Sequence, residues 1–384
     1  MSKIIRNTEI VQAPKIKAGC DVYLKPENLQ ETGSFKVRGA YYKISRLTDE
    51  EKARGVIACS AGNHAQGVAL GATSHGIKSL ICLPEGAPIS KVEATRRYGA
   101  DICLVPGVYD DAYNKALQLK EEKGYTFIHP FDDEHVIAGQ GTIGLELLEQ
   151  LPDVEAIVVP VGGGGLISGV AYAVKSLNPS VKVYGVQAAG AASMVHSIAV
   201  GHRETLPSVS TIADGIAVKE PGVLTYELCR KFVDDIAVVS EDEICGAILH
   251  LLEEEKVVAE GAAATTVAAV MYDKLPVKGK KTVCLVSGGN IDVTILSRVI
   301  KRGLAKSGRY SVINIELDDL PGKLVEVASV IAGQGGNITS VRHERGGNST
   351  KINACILRIV CETRNAEHVE QINDALKAKG FRMV

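Results

Sequence analysis

Lys25-Pro-Glu-Asn-Leu-Gln-Glu-Thr-Gly-Ser-Phe-Lys36-Val-Arg-Gly-Ala40 is the stretch that decides how this chain of 384 residues is read. A Thr32-Gly33-Ser34 turn delivers Lys36 to the start of a helical pattern. A free lysine has a pKa of about 10.4, so on the order of one in a thousand is uncharged and nucleophilic at neutral pH. A helix N-terminus and apolar surroundings both disfavour the ammonium form. A lysine that must carry a cofactor as a Schiff base needs such a setting. An isolated lysine opening a surface helix would look the same, so the reading depends on what accompanies it.

The bulk numbers narrow the class. The length allows two or three domains, and an apolar fraction of 46% fills sizeable cores. A net charge of −2 gives no electrostatic case for nucleic acid or an anionic membrane surface. The nine cysteines form no CxxC pair, and most sit in apolar patterns such as Ser79-Leu-Ile-Cys-Leu83. They read as reduced core thiols of a cytoplasmic protein. No signal-peptide h-region opens the sequence. The uncharged run from Ala156 to Val174 is long enough for a membrane span, but Pro160 and four consecutive glycines make it a strand, loop and buried helix.

Short β-branched runs alternate with helical patterns to about residue 305. Strands are expected at 56–59, 79–83, 101–105, 156–159, 181–186 and 282–286, with helices over 63–75, 109–123 and 134–150 between them. Alternating βα units predict an α/β protein with open parallel sheets covered on both faces. Beyond a basic, Gly-containing linker at 301–309 the pattern changes. Strands at 311–318, 337–345 and 350–361, helices at 322–334 and 365–378 and a last strand to Val384 predict a βαββαβ domain, with Gly346-Gly-Asn-Ser349 between its middle strands.

Three further motifs carry chemistry. Val161-Gly162-Gly163-Gly164-Gly165-Leu-Ile-Ser-Gly169 follows a buried strand and opens a helix. Its N–H groups and the helix start suit a phosphate. It lacks the third glycine of G-x-G-x-x-G, and the next strand ends in Gln187 instead of an acid, which disfavours a dinucleotide. Ser60-Ala61-Gly62-Asn63-His64 also follows a strand and starts a helix. Its backbone can receive a carboxylate, and the Asn63 amide can donate to a ring hydroxyl. His64 alone reads as structural. Ser287-Gly-Gly-Asn290 lies at the C-terminal end of a strand, where open α/β sheets bind ligands, and Ser287 could bond a ring nitrogen.

Together these motifs, with Ser210-Thr-Ile-Ala-Asp-Gly215, resemble the fold-type-II pyridoxal-phosphate enzymes over residues 1 to about 309, and within them the threonine and serine dehydratases. The resemblance implies a large cofactor domain over 1–52 and 136–309 and a small catalytic domain over 53–135. It implies that Lys36 binds pyridoxal 5'-phosphate, beside Phe35, with Asn63 on the ring hydroxyl and Ser287 on the ring nitrogen. Gly162, Gly163, Gly164 and Gly165 would hold the phosphate, and Ser60, Ala61, Gly62, Asn63 and His64 the substrate carboxylate. The freed Lys36 amine would remove the Cα proton, and the β-hydroxyl would leave protonated through the phosphate. The expected reaction is L-threonine to 2-oxobutanoate and ammonia, as in isoleucine biosynthesis, with L-serine to pyruvate beside it.

A neutral Ser287 cannot hold a pyridinium charge as an aspartate would, which favours prompt elimination over transamination. A serine-preferring dehydratase or a serine racemase is a second reading, but racemases use a serine where this chain has Ala61, and carboxylates for a metal where it has Gln187-Ala-Ala-Gly-Ala-Ala-Ser193. No metal is expected. A third reading, a non-catalytic amino-acid sensor, leaves an intact Lys36, glycine loop and Ser287 unexplained. The tail over 310–384 resembles an ACT domain, a ferredoxin-like module that binds amino acids. Asp319-Leu320-Pro321-Gly322-Lys-Leu324 and Gly335-Gly-Asn337-Ile338 carry that likeness. It implies an amino-acid effector near Leu320, Pro321, Gly322 and Asn337 and a homodimer or homotetramer, with no nucleic-acid or membrane partner.

Overall fold

Strands that are apolar on both faces must be covered on both faces, and the structure, a computed structural model that describes residues 4–345 and 353–384, covers them with helices. The chain divides into two units, Met1–Asp292 and Val293–Val384.

The first unit holds two sheets. The larger has six strands in the order Val11–Gln12, Asp21–Pro26, Lys281–Val286, Ala156–Pro160, Lys182–Ala188 and Asp235–Val239. All pairs are parallel except the short first one. The smaller is wholly parallel, in the order Asp101–Val105, Ser79–Pro84, Val56–Cys59 and Thr126–Phe127. Every residue of Ala156–Pro160 and of Val56–Cys59 is buried. The uncharged run from Ala156 resolves into this strand, the glycine loop and the helix Gly165–Leu177. Among the described residues no helix is long and apolar enough to cross a membrane. All nine cysteines are free thiols.

Three strands of the large sheet escape the sequence pattern, and Val11–Gln12 is a pair of residues too short to announce itself. Asp235–Val239 is a half-buried edge. Asp21–Pro26 is a more instructive case, because it carries Lys25 into the core with no exposure. Lys25 Nζ donates to Glu146 at 2.7 Å and also to the Thr8 carbonyl. Beside it the Arg38 guanidinium grips Glu27 (2.7 and 2.8 Å) and Glu146 (2.6 and 2.9 Å) with two forks. A planar guanidinium can satisfy two carboxylates this way, and an ammonium cannot. The network ties the helix Lys36–Ser45 to the helix Glu134–Gln150 and to the strand beneath both.

The second unit opens with the helix Val293–Lys306 and continues as βαββαβ. Its antiparallel sheet runs Asn337–Arg345, Ala354–Glu362, Tyr310–Asp318, Arg382–Met383, a ferredoxin-like order. Ile315, Leu317, Val327, Ile331, Leu357 and Ile372 build its core with the helices Lys323–Gly333 and Ala366–Ala378. Residues 301–306, expected as linker, are the last turns of a helix that belongs to this unit. One interior glycine, Gly303, costs a helix only about 1 kcal/mol, and its Leu, Ala, Lys and Arg neighbours are strong helix formers. The expected turn at Gly346–Ser349 lies outside the described residues.

Breaking a buried charge network by removing one member strands the others. Arg38→Ala is expected to destabilise the protein by about 3–5 kcal/mol, read as a lowered denaturation midpoint. Arg38→Lys is expected to recover only part of it.

Candidate active site

The Thr32-Gly33-Ser34 turn is held against the C-terminal end of Lys281–Val286. Phe35 N donates to the Ser287 carbonyl at 3.0 Å, and Gly289 N to the Gly33 carbonyl at 2.9 Å. Gly33 has φ +70°, and a Cβ there would meet Asn290 Oδ1 at 2.5 Å, so only glycine fits. This clamp presents Lys36 as the first residue of its helix. Lys36 Nζ lies 5.4 Å from the Phe35 ring centroid and donates to the Pro130 carbonyl at 2.7 Å. Burial pushes its pKa down to about 8, against an opposing pull from Glu260. Ser287 is buried close by in sequence to these contacts, at 1% exposure.

The glycine loop is packed tightly on its outer side. A Cβ on Gly163 would enter the Phe131 ring at 2.5 Å, one on Gly165 would meet the Phe131 backbone at 2.8 Å, and one on Gly162 would meet Ile216 at 2.9 Å. Gly164 has φ +97° and caps the helix Gly165–Leu177. The N–H groups of Gly162, Gly163 and Gly164 find no acceptor among the described residues. Such a ring of unpaired donors at a helix N-terminus is an anion cradle.

His129 to Asp132 joins these parts, and the sequence reading passed over it. Pro130 takes the Lys36 hydrogen bond and Phe131 backs the glycines. Asp132 accepts from the N–H groups of Val223, Leu224 and Thr225 at 2.9, 2.9 and 3.2 Å. The Thr225 hydroxyl in turn donates to the Gly163 carbonyl at 2.6 Å.

The segment Ser60 to His64 leads into the helix Asn63–Ser74. Ser60 Oγ accepts from Gly62 N at 3.2 Å, and Ala61 offers no polar side chain. Asn63 is more committed than its sequence suggests. Its Nδ2 lies 2.9 Å from each oxygen of Glu260, and its Oδ1 accepts from Asn290 Nδ2 at 2.8 Å. The two hydrogens of an amide diverge too widely to reach one carboxylate together, so Glu260 engages one of them. His64 Nε2 is 2.8 Å from the Ile128 carbonyl. Burial, with Lys36 nearby, pushes its pKa down to about 3, so the ring is neutral and brings no positive charge to a substrate. Gln187, in the region where the resemblance puts a racemase's metal ligands, donates to the Val161 and Ala191 carbonyls and accepts from Val195 N.

An amine of lowered pKa, a cradle of unpaired N–H groups and a buried hydroxyl at a strand end fit a phosphorylated pyridine aldehyde. The family model described as pyridoxal-phosphate dependent enzyme matches residues 1–289. This chain belongs to that family. It is similar to an L-threonine ammonia-lyase of Thermotoga maritima, 53% identical over 365 residues, 95% of this chain and 91% of the relative. Among solved structures, threonine deaminase isoform 2 of Solanum lycopersicum matches with a TM-score of 0.75 at 40% identity, over 78% of this chain and 88% of that one. Maize serine racemase matches with a TM-score of 0.74 at 38% identity, over 79% and 94%. The pyridoxal-phosphate fold and cofactor expected from the motifs therefore hold for this chain.

Within one chain the expected effector residues do not converge. Leu320, Pro321 and Gly322 line a cleft of about 360 Å³ with His343, Arg345 and Cys355. Asn337 pairs with Glu362 at the other end of its strand and donates to that side chain at 2.8 Å. Asp319, His343 and Cys355 have potential metal-ligand atoms within 4.8 Å of one another, but Arg345 occupies the Asp319 carboxylate at 2.6 and 3.1 Å.

Two of the pyridoxal-phosphate enzyme's properties follow from Lys36. Borohydride is expected to fix the cofactor to the Lys36 peptide, and Lys36→Ala to abolish that adduct by mass spectrometry. The neutral amine reacts, so cofactor uptake by apoprotein should rise with pH and level off above about 8. An ordinary lysine would still be gaining reactivity towards a pKa of about 10.4.

Proposed function

We propose that this chain is a threonine ammonia-lyase, converting L-threonine to 2-oxobutanoate and ammonia, and L-serine to pyruvate more slowly. The observation that carries the proposal is the buried amine of Lys36, its pKa lowered to about 8 and its nitrogen held by the Pro130 carbonyl at 2.7 Å. The similarity to the Thermotoga maritima L-threonine ammonia-lyase over 95% of the chain supports it.

The cofactor supplies an electron sink for the charge left when a Cα proton departs. The chain's own residues do the rest. Gly162 to Gly165 receive the phosphate on their N–H groups. The N–H groups at Ser60–His64 receive the substrate carboxylate, with the helix Asn63–Ser74 adding its positive end. The remaining Asn63 N–H and the Ser287 hydroxyl orient the ring. Lys36 Nζ, freed by the incoming substrate amine, takes the Cα proton. The β-hydroxyl leaves as water, and water is taken up again when the product hydrolyses to oxo acid and ammonia, so the atoms balance.

Serine racemisation is the second reading, favoured by the likeness to maize serine racemase. Ala61 argues against it, because it offers no proton to the second face of Cα. For the C-terminal unit the proposal is control by an amino acid bound at the cleft beside Leu320–Gly322 in a homodimer or homotetramer, where a second copy could bring Asn337 to that cleft. The location proposed is the cytoplasm, in keeping with nine free thiols.

Oxo-acid release measured from both substrates tests the proposal. A fitted pocket gains about 1–3 kcal/mol from the extra methyl of threonine, so its kcat/KM should exceed that of serine by about tenfold or more. Release from neither substrate overturns the proposal. Ala61→Ser is expected to raise D-serine formation, read by chiral chromatography. Addition of isoleucine, valine or serine to the assay tests the regulatory part, and an unchanged threonine saturation curve with all three overturns it.

A further inference from the structure

We propose that Glu260 is a positioning residue of the cofactor site, fixing the amide of Asn63 and supplying the negative charge that balances the nitrogen of Lys36. The inference rests on the family's cofactor and not on which amino acid is turned over.

Glu260 precedes the helix Gly261–Met271, whose first ten residues are all buried. A carboxylate at that place ordinarily accepts from the free N–H groups of the first turn. Glu260 makes no such bond. Its backbone N–H donates to the Gly288 carbonyl at 3.0 Å, next to Ser287, and its side chain turns to Asn63 at 4% exposure. Both oxygens are 2.9 Å from Asn63 Nδ2. Asn290 holds the other end of the same amide and donates also to the Thr32 carbonyl at 2.7 Å. Asn63 is thereby fixed in one flip, with an N–H available to a ligand, by residues from two separate segments.

A buried carboxylate left without use would cost several kcal/mol. Here the charged groups that face it are few. Lys36 opens the helix Lys36–Ser45. Lys91, from the helix Ile89–Arg97, and Asp214 form an ion pair of 2.6 Å at more exposed positions. Glu260 is the acidic group whose charge is felt at Lys36, and Lys36 is felt in return at Glu260. Burial pushes the Glu260 acid up to about 7, so its charge changes in the working range. When ionised it favours a protonated nitrogen at position 36. Removing the charge lets that nitrogen lose its proton at lower pH.

The test uses substrate-free holoenzyme and follows the absorbance of the cofactor bound to Lys36 across pH. Glu260→Gln keeps the shape and an acceptor for Asn63 but removes the charge. Its midpoint should fall by about one pH unit. Glu260→Asp keeps the charge but falls one methylene short of Asn63. Its midpoint should stay near wild type while its cofactor dissociation constant rises about tenfold, the worth of one hydrogen bond to a charged group. A Glu260→Gln titration that superimposes on wild type overturns the charge role. A Glu260→Asp protein that holds cofactor as tightly as wild type overturns the positioning role, and it does so even where Glu260→Gln fails to fold. A protein inactive on threonine still gives both readouts.

Discussion

The desolvated amine of Lys36 is the constraint on which this site depends. Water would restore it to an ammonium ion, and the chain excludes water with parts of both sheets of its first unit. The lysine comes from a turn clamped to the end of Lys281–Val286, and its hydrogen bond goes to Pro130, just past the last strand of the small sheet. A pKa near 8 leaves about a tenth of the amine free at pH 7, on the order of a hundredfold more than an unperturbed lysine. In the proposed site Pro130 holds the amine and Phe35 lies beside it, while Phe131 backs the glycine loop, although none can move a proton.

Stability and function meet two residues further along. Arg38 lies two residues on from Lys36, about 200° round the helix, and its two forked ion pairs hold that helix turn in a fixed rotation. Such a buried network is a poor source of net stability, because desolvating four charges offsets most of their attraction. What it provides is direction: two carboxylates admit one orientation of a guanidinium, and that orientation sets where the Lys36 side chain emerges. The glycine loop is fixed from behind in the same manner, by Phe131 against Gly163 and by Thr225 on the Gly163 carbonyl.

The parts legible in the sequence were those with a local signature. Buried strands such as Ala156–Pro160, the helix starts after them and the βαββαβ order of the C-terminal unit all announce themselves within a few residues. The residues that escaped notice act across long separations. Glu260 meets Asn63 from 197 positions away, and Pro130 meets Lys36 from 94. Glu260 did leave one trace, as a single acid at the head of the alanine-rich run Gly261-Ala-Ala-Ala-Thr-Thr. An acid in such company is either a helix cap or a buried partner, and only its distant neighbour distinguishes the two. Asp21–Pro26 was hidden for the converse reason, since Lys25 looks like surface until Glu146 is placed beside it.

The charges of the site are arranged to meet near neutrality. Burial lowers the lysine to about 8 and raises the glutamic acid to about 7, so the two ranges nearly touch. In water they would be separated by about six units, and both groups would be ionised throughout the physiological range. Bringing them together makes gain or loss of a proton at either group inexpensive. In the proposed reaction Lys36 is neutral when it attacks and charged after it has taken a proton, which needs surroundings that tolerate both states. The neutral His64 adds no competing positive charge, and Ser287 adds no negative one. That leaves Glu260 as the proposed counter-charge to Lys36, placed by its hydrogen bond to the Asn63 amide.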